Sequence, residues 1–221
     1  MGVGDAPRSS LPGKPAALAI LTPEERALKE AENGLKQFDR MVELVERAIA
    51  PGAPGFRLRP STLLDLQRIA VDGLVASAGF FRQGTITISG TQHQPPAAAE
   101  VAEHVDEMCE YVHDHWEAPP VHLSAYVMWR LNWIHPFDDG NGRTSRAVSY
   151  LVLCARLRQR LPGTKTIPER IAEAKFPYYD ALDSADAAWC KGEVDVHKMQ
   201  ALLEVHLRDQ LIETFNAATG R

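Results

Sequence analysis

His135-Pro136-Phe137-Asp138-Asp139-Gly140-Asn141-Gly142-Arg143-Thr144-Ser145-Arg146 is the stretch that decides how this chain is read. An apolar run, Ala125 to Ile134, leads into it and a second, Ala147 to Leu157, leads out. The arrangement predicts a polar, glycine-rich loop between two buried helices. Gly140 and Gly142 permit positive φ and close backbone approach. Asn141 between them tolerates the left-handed region. A helix opening near Gly142 or Arg143 turns free N–H groups and its positive end toward the loop. Arg143 and Arg146, three apart, share a helix face and suit one anion. Asp139 offers a hard oxygen of the kind Mg²⁺ takes one or two at a time. His135 is the group that can accept a proton near neutral pH. Together these parts point to phosphoryl or nucleotidyl transfer. The bland alternative is a helix stop with a buried histidine and an ordinary turn. It leaves two arginines, an aspartate and an asparagine gathered without purpose.

The stretch resembles the motif of the Fic family, His-x-Phe-x-(Asp/Glu)-Gly-Asn-Gly-Arg-x-x-Arg. His135, Phe137, Asp139, Gly140, Asn141, Gly142, Arg143 and Arg146 meet every fixed position. The resemblance covers residues 60 to 190 well and the flanks weakly. It implies that His135 deprotonates a target hydroxyl and that Asp139 holds Mg²⁺ on the phosphates of ATP. Gly140, Asn141 and Gly142 would form the anion hole at the α-phosphate. Arg143 and Arg146 would bind the outer phosphates, and Phe137 would anchor the loop inward. The implied activity is protein adenylylation: AMP passes to a Ser, Thr or Tyr hydroxyl and pyrophosphate leaves. Three rivals stay open. The same fold can use another donor, giving UMP, phosphocholine or phosphate transfer. It can run the reverse hydrolysis, or serve as a non-catalytic nucleotide-binding module. Gly142 disfavours the phosphate-transferring branch, which lacks that glycine; intact His135 and Asp139 disfavour the silent module.

Composition narrows the partners. A net charge of −5 argues against general nucleic-acid binding. No stretch of about 18 apolar residues is present, so no membrane span is expected. Residues 1 to 19 lack the apolar core of a signal peptide, and a cytoplasmic location is expected. Ala6 stands where a myristoylation signal has Ser or Thr. Cys109, Cys154 and Cys190 fall in helical patterns without metal-ligand spacing and read as buried small apolar residues in a reducing compartment. A protein substrate and ATP are the expected partners, and self-association into a homo-oligomer is left open.

Along the chain, residues 1–20 are expected to be a flexible tail, 21–59 an N-terminal helical region, 60–190 the core domain and 191–221 a closing helix. Thr22-Pro23-Glu24-Glu25 predicts a helix start. The helix should run to about Ala50, with Asn33-Gly34 as a candidate break and Leu35, Phe38, Val42, Val45 and Ile49 as its apolar stripe. Many Fic enzymes carry an inhibitory Ser/Thr-x-x-x-Glu-Gly/Asn helix whose Glu pairs with the second motif arginine. Glu32-Asn33 meets its end, but Leu28 stands where Ser or Thr belongs. Glu32 is therefore a candidate inhibitory carboxylate, against two alternatives: an ordinary first core helix, or a solvated acidic face. A strong charge-assisted pair of that kind would compete with a phosphate for Arg146. A helix from Ser61 to Leu74 follows. Ala78-Gly79-Phe80-Phe81-Arg82 then precedes Thr85, Ile86, Thr87 and Ile88, whose alternation predicts a short strand. This segment is similar to the Fic β-hairpin flap, which holds the target by strand addition. Further helices are expected over 97–117, 122–134, 148–157, 169–189 and 195–215. Tyr178 and Tyr179 match a Tyr-Tyr-x-x-Leu segment near the adenine end of the family's nucleotide. The expected fold is all-α with one small hairpin.

Overall fold

A computed structural model describes residues 20–220. The expected tail lies outside them except for Ile20. Eight α-helices follow in order among the described residues: α1 (Pro23–Ile49), α2 (Pro60–Ala70), α3 (Val101–Asp114), α4 (Pro120–Ile134), α5 (Asn141–Leu157), α6 (Ile167–Glu173), α7 (Lys175–Trp189) and α8 (His197–Thr219), with a single 3₁₀ turn at Ala98–Glu100. The architecture is all-α.

The two apolar runs flanking the loop form the centre. α4 and α5 share the largest helix–helix interface. Ten residues of α4 and twelve of α5 are buried, so each is covered nearly all round, as their sequences require. Ser124 and Ser149 let the two backbones come close. The Ser124 hydroxyl donates to the Ser149 carbonyl (3.1 Å) and the Ser149 hydroxyl returns the bond (2.9 Å). Around this pair one cluster of buried side chains runs from Met41 in α1 to Leu203 in α8. Arg130, buried within α4, lies over the rings of Trp133 (4.2 Å) and Trp189 (4.4 Å), and Glu107 takes one of its N–H groups at 3.4 Å. The aromatic faces supply part of the environment that water would otherwise give the cation.

Several expectations are corrected. α1 is unbroken at Asn33-Gly34 and starts with a capping box between Thr22 and Glu25. Of the expected stripe, Val45 is buried and Phe38, Val42 and Ile49 pack on the core, but Leu35 is exposed, and Asn33, Gln37 and Met41 complete the buried face. The reason is polar: Asn33 Nδ2 donates to the Asp72 carbonyl (2.8 Å) and Gln37 Nε2 to the Leu66 carbonyl (3.1 Å), groups an apolar stripe would leave unpaired. α2 ends at Ala70 rather than Leu74, because the chain turns through Gly73 at φ 72°. The helix expected over 169–189 is two, divided at Ala174 (φ −121°, ψ 73°). On α8, Met199 and Leu203 are buried but Val205 and Leu211 are exposed. Cys109 and Cys154 are buried as read, whereas Cys190 is exposed. No strand forms at Thr85–Ile88 among the described residues: the segment is irregular and has no backbone partner there.

Candidate active site

The loop between α4 and α5 takes its shape from three local choices. His135 is the C-cap of α4 in the left-handed region (φ 48°), its amide bonded to the Leu131 carbonyl at 3.0 Å. Leaving the helix this way turns its side chain out of the α4 ladder. Phe137 then drops fully into the core. Asn141, almost fully buried, bridges the loop: its Oδ1 accepts from the Phe137 amide (3.0 Å) and its Nδ2 donates to the Phe137 carbonyl (2.8 Å). The Asn141 side chain thus faces inward and holds the turn, leaving only its backbone amide for an anion. Gly140 (φ 83°) is the N-cap of α5. The first backbone bond of that helix is Thr144 N–H to the Gly140 carbonyl at 2.9 Å, so the amides of Asn141, Gly142 and Arg143 have no intrahelical acceptor.

Those amides open on a cavity of about 480 Å³, within the usual range for small-molecule sites. His135, Asp139, Arg143, Arg146, Lys175, Tyr178 and Tyr179 all line it, and Ile88 reaches it from the irregular segment between α2 and α3. The structure therefore gathers most of the expected residues in one place. Burial pushes His135 down to about 4 from an ordinary 6.5, with the nearby charges of Arg82 and His93 adding to the effect. Its ring is neutral at pH 7. Nδ1 lies 3.4 Å from the Asn132 carbonyl, which favours the proton on that nitrogen and leaves Nε2 as the acceptor. Arg146 is partly buried and has no hydrogen-bond or ion-pair partner among the described residues. Burial lowers the pKa of its guanidinium, which stays charged at neutral pH. Arg143 is already engaged, donating to the Ala70 carbonyl (2.9 Å) and to Asp139 Oδ1 (3.2 Å). Tyr178 is buried, its hydroxyl accepting from Asn132 Nδ2 (2.8 Å), while Tyr179 is half exposed at the rim.

Asp139 brings one carboxylate to the cavity, and both of its oxygens are already engaged. Its carboxylate faces two cations, Arg143 at Oδ1 and Arg26 at Oδ2, each at 3.2 Å, and the Gly140 amide donates to Oδ1 at 2.6 Å. A single carboxylate of this kind is what Mg²⁺ takes when waters and phosphates complete its shell, so the residue type fits that ion once Oδ2 is freed. No cluster of three or more candidate ligands exists among the described residues, so a cage made by protein alone is absent.

Gln67 and Lys175 escaped the sequence reading, and Arg82 was read only as the end of the turn before the expected flap. Gln67, fully buried on α2, accepts from the Gly79 amide (2.7 Å) and donates to the Asp139 carbonyl (3.0 Å). A glutamine on the face of Leu63, Leu66 and Ala70 is the signal that could have found it. Arg82 is 1 % exposed without any carboxylate partner. It donates instead to the carbonyls of His135 (2.8 Å), Gly84 (3.0 Å), Pro96 (2.6 Å) and Ile134 (3.4 Å). Lys175, the first residue of α7, adds a cation to the cavity wall. Conversely, Glu32 is exposed, does not line the cavity and has no ion pair among the described residues. The structure does not bring it to Arg146.

Comparison with known proteins places this geometry. Residues 57–153 match the model of the Fic/DOC family. Over 77 residues the chain is 34% identical to "Protein adenylyltransferase Fic" of Drosophila persimilis, a match covering 34% of this chain and 15% of that protein. The protein of the same name from Nematostella vectensis is 31% identical over 78 residues, or 34% of this chain and 18% of its own length. The matched region is thus under a fifth of these relatives. Among solved structures, a Fic family protein from Desulfovibrio desulfuricans G20 superposes over 90% of this chain and 56% of its own, with TM-score 0.65 and 22% identity. Fic-1 from C. elegans covers 96% and 55%, with TM-score 0.66 and 17% identity. These structural likenesses speak for the fold. No helix among the described residues is long and apolar enough to cross a membrane.

Proposed function

We propose, from the membership of residues 57–153 in the Fic/DOC family, that this chain is a protein adenylyltransferase that moves AMP from Mg-ATP to a Ser, Thr or Tyr hydroxyl of another protein. The observation that carries the reading is the unpaired Arg146 guanidinium beside the free amides of α5, facing a neutral His135 across one cavity. An unpartnered cation and a helix N-terminus attract a polyphosphate.

The residues divide the work. The amides of Asn141, Gly142 and Arg143 receive the α-phosphate oxygens as charge builds there. Arg146 takes the outer phosphates, with Arg143 shared between them and Asp139. When bound at Asp139, Mg²⁺ would neutralise charge on the phosphates. His135 Nε2 accepts the proton of the target hydroxyl while that oxygen bonds to the α-phosphorus. The bond from the α-phosphorus to the bridging oxygen breaks, and pyrophosphate leaves with the electron pair. General base catalysis of this type contributes about 10²–10⁴-fold. Tyr178 and Tyr179 wall the nucleoside end. Thr85, Ile86, Thr87 and Ile88, of which Ile88 lines the cavity, have unpaired backbone that can pair with an acceptor peptide.

The test is incubation with ATP labelled at the α-phosphate and Mg²⁺, following label on the chain itself and on added proteins. Label is expected with the wild type and none with His135→Ala. Equal labelling of the two would reject His135 as the base. Label retained from the γ-phosphate but not the α-phosphate would reject adenylylation in favour of phosphorylation.

A further inference from the structure

The start of α1 is fastened to the end of α2. Leu21 packs on the buried cluster of Ala70, Val71 and Leu74. Lys29 Nζ lies 3.8 Å from the Asp72 carboxylate, and Asn33 holds the Asp72 carbonyl at 2.8 Å. This docking carries Arg26 across to the catalytic loop, where its Nη2 meets Asp139 Oδ2 at 3.2 Å. Glu30, one turn along α1, fixes the same guanidinium through Nε at 3.1 Å. The opposite carboxylate oxygen is taken by Arg143 and the Gly140 amide. With Arg26 in place, the solvent side of Asp139 already holds a cation.

We propose that Arg26 is a built-in occupant of the metal position, which a divalent cation must displace before it reaches Asp139. The inference rests on the reading of Asp139 as the metal ligand. α1 thereby sets the metal concentration at which nucleotide is gripped, through a contact made by the N-terminal helix and not by Glu32. The pair is partly exposed on both sides, with side-chain accessibilities of 45% and 33%, so its strength is that of a surface ion pair. Its loss should ease cation entry about fivefold.

The experiment measures binding of α,β-methylene-ATP, which cannot release AMP, by calorimetry as Mg²⁺ is raised from EDTA conditions. The full chain is compared with Arg26→Gln, Arg26→Lys, Asp139→Asn and Arg146→Ala, each checked for native helicity. Arg26→Gln should lower the half-saturating Mg²⁺ about fivefold while leaving binding in EDTA unchanged. Arg26→Lys should resemble the wild type, and Asp139→Asn should abolish the Mg²⁺ response. An unchanged Mg²⁺ midpoint in Arg26→Gln overturns the inference while leaving the site intact. Weaker binding of Arg26→Gln in EDTA also overturns it, because Arg26 would then be a phosphate ligand. Absence of binding to the wild type, or binding indifferent to Arg146→Ala, overturns instead the functional reading beneath it.

Discussion

Replacing Gly140 with alanine should disable the loop by two separable costs. The residue sits at φ 83°, where a Cβ is strained, and that Cβ would lie 2.7 Å from Val71 Cγ1. A non-glycine residue in the left-handed region costs about 1–2 kcal/mol. Forcing a methyl into a packed neighbour costs about 1–3 kcal/mol. Val71 is fully buried and belongs to the wall that also receives Leu21, so it has little room to yield. The sum is about 2–5 kcal/mol, and a chain of this size would lose about 10 °C in Tm near the middle of that range. Val71→Ala on its own should cost about 2 kcal/mol for the lost packing. In the double variant the overlap disappears but the φ strain stays, so the two losses should sum to less than their separate values, by about 1–3 kcal/mol. Urea unfolding of the four proteins measures this coupling, and α-phosphate labelling should follow it. Additivity within about 0.5 kcal/mol would refute the argument, because the Val71 wall would then not be what Gly140 accommodates.

Two more outcomes follow from the geometry. His135 falls from 6.5 to about 4 on folding, so the unfolded chain binds the extra proton between those values and stability must decline as pH drops through that window. The loss is at most about 3 kcal/mol. It should vanish from the pH dependence of His135→Ala, and the acid limb of kcat/KM for labelling should lie well below pH 6.5; a limb at 6.5 would contradict the buried, neutral ring. Glu32→Gln should leave labelling within about twofold of wild type, since a solvent-facing side chain has little effect on a distant site; a tenfold rise would mean that α1 adopts another register in solution.

The loop between α4 and α5 was legible because its shape constrains residue type: Gly140 sits at a positive φ and Phe137 reaches the core. The two central helices were legible for a related reason: burial on all sides leaves an apolar run with no polar face. What could not be read depends on partners distant in sequence. Nothing in the local pattern marks Gln37 for burial, because its acceptor, the Leu66 carbonyl, belongs to another helix. Nor does the pattern single out Arg26, which the docking of α1 on α2 sets on Asp139, 113 residues away. The alternation at Thr85–Ile88 was real as a pattern. A strand also needs a neighbour, and none lies within reach among the described residues.

The guanidinium of Arg82 joins the carbonyls of Gly84 and Pro96 to that of His135. Both feet of the overhanging segment therefore stand on one point, which is also the mount of the imidazole. A load on Ile86 or Ile88 therefore meets a span held at both ends, and the stretch from Thr85 to Pro95 bows rather than swings. Any strain that passes its feet arrives at the backbone of His135. On the function proposed above, seating an acceptor chain and aiming the imidazole would be a single mechanical event.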